Sequence, residues 1–120
     1  MLLSPTASEH VHSPRNAGAF EGATHVGSGG VPGDGPYVTL WLLVEGQTIR
    51  RAGYACNGCP SSIAAASMAA QIATGRTLAQ IALLDACDLL LLLGGLPEGK
   101  EFYAELAVQA IRNAAPIEKL

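Results

Sequence analysis

Two stretches decide the fold of this 120-residue chain: residues 37–54, YVTLWLLVEGQTIRRAGY, and residues 61–73, SSIAAASMAAQIA. The first stretch opens with β-branched, aromatic and aliphatic residues, and Glu45-Gly46 is a turn signal before its mixed second half. This pattern predicts a β-hairpin. The second stretch is dominated by alanine, the best helix former, which predicts an α-helix with Ser61 or Ser62 as its cap.

The chain on the amino-terminal side of the hairpin lacks such a pattern. Residues 1–8 are mixed in character and are interpreted as a flexible segment. Residues 27–36, GSGGVPGDGP, contain five glycines and two prolines, which predicts a mobile loop without regular structure. Pattern alone therefore indicates only the two strands of the hairpin.

Three further helices are predicted on the carboxyl-terminal side. A short helix is expected from a cap at Thr77 through Leu84, and a second from a cap at Asp85 into the run Leu89–Leu93. Both should be buried, and Cys87 is expected in the core.

A final helix should begin near Pro97 and end before Pro116. Together these elements predict one α+β domain, with helices packed on one face of a small antiparallel sheet.

Composition excludes several classes of function. The net charge is −3 and the seven Lys and Arg residues are scattered, so nucleic acid and anionic membrane surfaces are not expected partners. The longest apolar run is far shorter than the roughly 20 residues that cross a bilayer. No secretion signal is visible, which favours a cytoplasmic location. Three cysteines are too few and too odd in number for a disulfide framework.

The candidate site is the C-x-x-C pair, Cys56 and Cys59, directly before the alanine-rich helix. Free amides and the positive end of the helix dipole favour a thiolate there. Two sulfurs can chelate zinc or iron, but a full tetrahedral site needs about four ligands. On spacing alone, metal ligation and inert packing are equally supported.

Several segments, taken in order, resemble the NifU/IscU-type iron-sulfur cluster assembly scaffold family. They are EHVHSPRNAG (9–18), PGD (32–34), YACNGCPSSIA (54–64), GRTL (75–78) and LPEGK (96–100). The combination is more specific than any one motif. The resemblance implies a three-stranded antiparallel sheet covered by helices, with a domain at residues 9–115 and a tail at residues 116–120.

The same resemblance implies a reduced ligand set. Pro32 stands where the family carries its first cysteine, and Phe102 and Tyr103 stand where it carries His and its third cysteine. Counting back from the helix places Cys59 at the second ligand position, whereas counting forward from Tyr54 favours Cys56. Asp34 matches the family's carboxylate, so Cys59, Asp34 and Cys56 are the expected metal-site residues.

The resemblance implies a non-enzymatic scaffold that binds iron, zinc or an iron-sulfur cluster transiently, with a cysteine desulfurase and chaperone-type proteins as partners. Two alternatives stay open. One is a degenerate interaction module that kept the fold without any metal or cluster. The other is a thiol redox protein using Cys56 and Cys59, although the expected fold lacks the βαβ arrangement of thioredoxin-like proteins. The sequence leaves the oligomeric state open, a homo-oligomer included.

Overall fold

The computed structural model describes residues 3–13 and 16–117 of the chain. Its five helices, in chain order, are α1 (Pro5–His12), α2 (Pro60–Ala73), α3 (Leu78–Ile81), α4 (Ala86–Leu93) and α5 (Phe102–Arg112). Its four strands are β1 (His25–Gly30), β2 (Tyr37–Glu45), β3 (Thr48–Cys56) and β4 (Ala115–Pro116). The α+β prediction is confirmed.

The strands form one antiparallel sheet in the order β3-β2-β1-β4. The hairpin prediction is confirmed by the pairing of β2 with β3, which runs from Glu45↔Thr48 to Val38↔Cys56. The sheet has one strand more than the resemblance implies, because the short β4 pairs with β1 at the edge. Helices α2 and α5 pack against the sheet and bury alternate residues of β2: Val38, Leu40 and Leu42.

The glycine-rich stretch is a strand for its first four residues, so the prediction of a loop over residues 27–36 is wrong for that part. Gly27 and Gly29 are buried beneath α5. A Cβ at position 29 would lie 2.0 Å from the backbone oxygen of Leu106, and one at position 27 would lie 2.2 Å from that of Ala110. The glycines therefore let the backbone of α5 lie directly on β1. The loop itself is confined to residues 31–36.

The central helix α2 forms where it is predicted and buries ten of its fourteen residues, but its N-cap is Cys59, so the predicted cap at Ser61 or Ser62 is wrong. Helix α4 is capped by Asp85 and ends at Gly94, which adopts a left-handed conformation. This helix is less buried than predicted. Leu89 and Leu93 are buried, but Leu91 is 81% exposed and Cys87 is also exposed, so the core assignment of Cys87 is wrong. Five successive leucines cannot all face one side of a helix.

Helix α3 is also shorter and less buried than predicted, since it ends at Ile81 and leaves Leu83 exposed. The last helix begins at Phe102, later than predicted, because a turn from Pro97 to Lys100 precedes it. The predicted closing residue Pro116 lies in β4. Of the predicted tail, residues 118–120 lie outside the described residues.

The amino-terminal segment is fixed to the body of the protein. Ser4 caps α1 and donates a hydrogen bond to the Leu93 carbonyl at the end of α4. The buried His10 ring is hydrogen-bonded through Nδ1 to Ser67 Oγ of α2, at 2.7 Å. Helix α1 thus begins within residues 1–8, while the domain boundary at residue 9 stays a prediction. Pro14 and Arg15 of the family signature lie outside the described residues. No helix in the described part of the chain is long and apolar enough to span a bilayer.

Candidate functional site

One end of the sheet gathers the residues that the sequence singled out. The register pairs Gly30 with Tyr37 and Val38 with Cys56, so the loop 31–36 and the end of β3 lie at the same end of the sheet. Helix α2 begins four residues after Cys56, and its first turn belongs to the same end. Short loops at element ends are where function is usually positioned on a rigid scaffold.

Ser62 joins the two cysteines. Cys59 is the N-cap of α2, and its sulfur accepts a hydrogen bond from the Ser62 amide at 3.4 Å. The Ser62 hydroxyl lies 3.4 Å from the Cys56 sulfur and 2.7 Å from the Cys59 carbonyl oxygen, and can donate to either. Ser62 is fully buried, which holds these contacts in place. Both sulfur atoms therefore border one small region at the start of α2.

Tyr103 brings α5 to the same region. Its hydroxyl is hydrogen-bonded to the Cys59 sulfur and accepts a hydrogen bond from Asn57 Nδ2 at 3.1 Å. The ring is almost fully buried and packs on Phe102 with 4.3 Å between the ring centroids. The position that the resemblance assigns to a lost ligand therefore contacts the remaining sulfur through a phenol.

These contacts determine the protonation of the site. Burial raises the pKa of Cys59, but the hydrogen bonds from Tyr103 and Ser62 and the backbone of Ser61 outweigh it and bring the pKa below its usual value. The pKa of Tyr103 is raised by burial and by its hydrogen bond to Cys59. The pKa of Tyr54 is raised by burial and by the neighbouring charge of Cys56. The Cys59 thiol therefore loses its proton more readily than usual, whereas the Tyr103 and Tyr54 phenols lose theirs less readily.

A cleft of about 590 Å³ opens beside Cys59. It lies between the amino-terminal segment, the start of α2 and the turn before α5. Its lining is mainly apolar and carries one cation, and it comprises Leu3, Ser8, Cys59, Pro60, Ser61, Pro97 and Lys100. The Cys59 sulfur is therefore the group that a molecule entering this cleft would meet.

Asp34 is an exposed residue of the loop 31–36, where its amide donates to the Val31 carbonyl at 3.0 Å. Within residues 3–13 and 16–117, no three His, Cys, Asp or Glu side chains come together as a metal site. The structure thus brings Cys56 and Cys59 together, and places Asp34 on a loop at the same end of the sheet. The role of Asp34 as a ligand stays a prediction.

Sequence reasoning missed the part played by Ser62 and Tyr103. The sequence indicates Ser62 only as a helix cap, and the available signal is the spacing Cys59-x-x-Ser62, because an N-cap side chain accepts a hydrogen bond from the amide three residues on. Tyr103 was interpreted only as a lost ligand. Its contact with Asn57 spans 46 residues of chain, and no local pattern indicates it.

Comparison with known proteins identifies the relatives of this chain. The family model described as NifU-like N terminal domain matches residues 4–117. The iron-sulfur cluster assembly scaffold protein IscU 1 of Archaeoglobus fulgidus is 33% identical over 113 residues, covering 94% of this chain and 74% of that protein. The bifunctional protein NifU/MnmA of Rubrobacter xylanophilus is 38% identical over 112 residues, covering 92% of this chain but 23% of that protein.

A solved structure supports the fold. A candidate iron-sulfur cluster assembly scaffold protein for the SUF system of Fervidobacterium islandicum superposes with a TM-score of 0.63 at 20% identity, covering 91% of this chain and 93% of that one. At that identity the likeness concerns the fold alone. The match of the family model over nearly the whole length, with relatives above 30% identity, decides the assignment. The chain belongs to the NifU-like N-terminal domain family.

Proposed function

We propose that this protein is an iron-sulfur cluster assembly scaffold, which holds iron, zinc or a cluster precursor transiently through Cys59 and Cys56. The observation that carries the proposal is the pair of Ser62 contacts, 3.4 Å from its amide to the Cys59 sulfur and 3.4 Å from its hydroxyl to the Cys56 sulfur. Two sulfurs held by one buried serine can face one metal ion. Relatives named as cluster assembly scaffolds support the same function.

The chemistry of the donors fits a soft or borderline metal. Thiolates bind zinc and iron strongly, and the hydrogen bonds to Cys59 favour its thiolate form. Two protein sulfurs leave about two coordination positions of a tetrahedral ion. Asp34 supplies one exchangeable carboxylate from its exposed loop, and solvent or a group from a second protein supplies the other. Weak, incomplete ligation suits a protein that must give its cargo away.

Sulfur reaches this site from a cysteine desulfurase in the proposed cycle. The cleft beside Cys59 offers an approach for a persulfide on a donor protein, since Cys59 is its reactive lining residue. Residues 96–100 stand where family members carry their chaperone-recognition segment, and the exposed residues 98–100 are the proposed contact for a chaperone-type partner.

Metal titration tests the proposal. Protein purified without oxygen is titrated with Fe(II), Zn(II) and Co(II) by calorimetry, and the sulfur-to-cobalt charge-transfer band reports thiolate ligation directly. We expect one metal per chain, a weaker thiolate band and weaker binding in both Cys59→Ser and Cys56→Ser, and faster metal exchange in Asp34→Asn. Cys87→Ser is the matched control, because its thiol lies on the outer face of α4, and it should bind as the parent protein does.

The outcome that refutes the proposal is equally defined. Absence of uptake of all three metals, or a thiolate band of unchanged strength in Cys59→Ser, would exclude Cys59 as the ligand. Stoichiometric binding of a cysteine desulfurase that is unaffected by Cys59→Ser, combined with absent metal uptake, would instead identify an interaction module that no longer handles the cluster.

A further inference from the structure

We infer that Cys56 and Cys59 act together as a dithiol that reduces sulfane sulfur, so that this chain itself converts a persulfide into free sulfide. The inference deepens the proposed function and rests on it, because it names the form in which sulfur leaves the site. It starts from the sulfur that the resemblance does not account for. One of the two cysteines has no counterpart in the family's ligand segment, yet both border the same serine.

The geometry assigns different positions to the two sulfurs. Cys59 lines the open cleft, where an entering persulfide meets it first. Cys56 is the last residue of β3, and its sulfur lies 3.4 Å from the hydroxyl of the buried Ser62, within reach of a hydrogen bond. Between them the chain turns at Gly58, whose φ of 89° is readily available only to glycine. Two cysteines separated by two residues have the spacing at which disulfides form in thiol oxidoreductases.

The cleft suits a persulfide donor. Pro60, Pro97 and Leu3 give it apolar walls for the carbon part of the donor, and Lys100 provides a positive charge that attracts a persulfide anion. Around Cys59, the Ser62 amide and the Tyr103 hydroxyl donate hydrogen bonds to its sulfur. These two hydrogen bonds stabilise negative charge on the Cys59 sulfur before the persulfide enters the cleft.

The first step transfers sulfur. The Cys59 sulfur attacks the outer sulfur of an organic persulfide, R–S–SH, which breaks the donor S–S bond. The products are the thiol R–SH and the persulfide Cys59–S–SH, so the sulfane sulfur keeps its oxidation state.

The second step reduces that sulfur. The Cys56 sulfur attacks the inner sulfur of Cys59–S–SH, which forms the Cys56–Cys59 disulfide and expels hydrosulfide. The thiol proton of Cys56 leaves with it as H₂S. The two cysteine sulfurs each lose one electron and the sulfane sulfur gains two, so the step needs no other reductant. Attack on the outer sulfur would only transfer that sulfur to Cys56. The Cys59 sulfur could then attack either sulfur of the Cys56 persulfide in the same two ways. A low-molecular-weight thiol or a dithiol protein must then reduce the disulfide before the next round.

A single-turnover experiment tests this inference. The reduced protein, freed of reductant without oxygen, receives one equivalent of glutathione persulfide and is desalted at once. Sulfide is trapped with monobromobimane, and the intact protein is weighed by mass spectrometry. We expect the parent protein and the Cys87→Ser control to release about one sulfide per chain and to lose two hydrogens, because the attack is intramolecular.

The decisive variant is Cys56→Ser, which keeps Cys59 as the sulfur acceptor and removes the thiol that reduces the bound sulfur. We expect it to gain one sulfur atom in mass, to retain it after desalting, and to release sulfide at least about a hundredfold more slowly until a thiol is added. Cys59→Ser tests the entry point and should accept sulfur more slowly. Thermal unfolding of each variant, followed by circular dichroism, checks that the fold is intact.

Two results would overturn the inference. Either Cys56→Ser releases sulfide as fast as the parent protein, or the parent protein retains the added sulfur as the variant does. The metal titration separates this failure from failure of the proposed function. Metal uptake with equal sulfide release in both proteins removes the inference alone, whereas sulfide release that depends on Cys56 without any metal uptake removes the scaffold proposal alone.

Discussion

Replacing Gly29 with alanine tests how α5 is seated on the sheet. Gly29 lies in β1 with ordinary strand geometry, so an added Cβ would by itself reduce the freedom of the unfolded chain and raise stability by about 0.4–1 kcal/mol. The structure predicts the opposite sign. The new Cβ would stand 2.0 Å from the Leu106 carbonyl oxygen, about 1.4 Å short of the 3.4 Å at which ordinary contact begins.

The collision cannot be relieved by a rotamer change, because the opposing atoms belong to the backbone of α5. The helix must lift from β1, and the buried residues that it contributes to the core, among them Ala107 and Ala110, lose contact with the sheet. We expect Gly29→Ala to lower the free energy of unfolding by about 3 kcal/mol, the upper end for an overpacked core. For a domain of this size that corresponds to a fall in Tm of about 10 °C.

Urea unfolding, followed by far-ultraviolet circular dichroism and by Trp41 fluorescence, measures the change. Gly33→Ala is the matched control, because that position has open space around it but a φ of 84°. It should lose only about 1 kcal/mol through backbone strain. Equal or greater stability of Gly29→Ala than of the parent protein would refute the close packing of α5 on β1. It would also remove the support that brings Tyr103 to Cys59.

Further substitutions probe the site and the core separately. In Tyr103→Phe the loss of the hydroxyl should raise the pKa of Cys59, so that iodoacetamide alkylates Cys59 more slowly at neutral pH and the rate increases only at higher pH. In the parent protein the rate of Cys59 alkylation should increase at a lower pH than in the urea-unfolded chain. Leu93→Ala should cost about 3 kcal/mol in urea unfolding because Leu93 is fully buried, whereas Leu91→Ala should change stability by less than about 0.5 kcal/mol. Asp85→Ala removes the hydrogen bond that the Asp85 carboxylate accepts from the Asp88 amide in the α4 capping box, and should cost about 1 kcal/mol.

The parts of the fold that could be predicted are those set by local chemistry. The hairpin and α2 followed from β-branched runs, a turn and an alanine-rich stretch, and each element formed where its own residues favour it. Strand β1 was missed because glycine is a poor strand former, and the reason for Gly27 and Gly29 is the backbone of α5, which lies some eighty residues further along the chain. The long-range packing outweighs the local preference.

The candidate site also combines features that the local sequence predicts with features that depend on long-range contacts. The C-x-x-C spacing before a helix was enough to indicate Cys56 and Cys59, since both its chemistry and its location are local features. The donors on Cys59 were not visible, because Tyr103 reaches it only after the chain has formed α3, α4 and a turn. Asp34 is predicted from the resemblance alone. The metal-exchange rate of Asp34→Asn tests whether it is a ligand beside Cys59.

The resemblance places the family's third cysteine at position 103, where this chain has a tyrosine that belongs to the core. The Tyr103 ring is 3% exposed and belongs to the core cluster, while its hydroxyl alone reaches the sulfur. A cysteine at that position would leave a cavity where the ring now packs, at a cost of about 3 kcal/mol. By contrast, Cys56 and Cys59 sit at the end of a strand and at a helix cap, half-buried at the rim of the core. Chemistry can therefore change at those two positions without unfolding the domain. The Tyr103 ring thus stabilises the core while its hydroxyl supports the Cys59 sulfur.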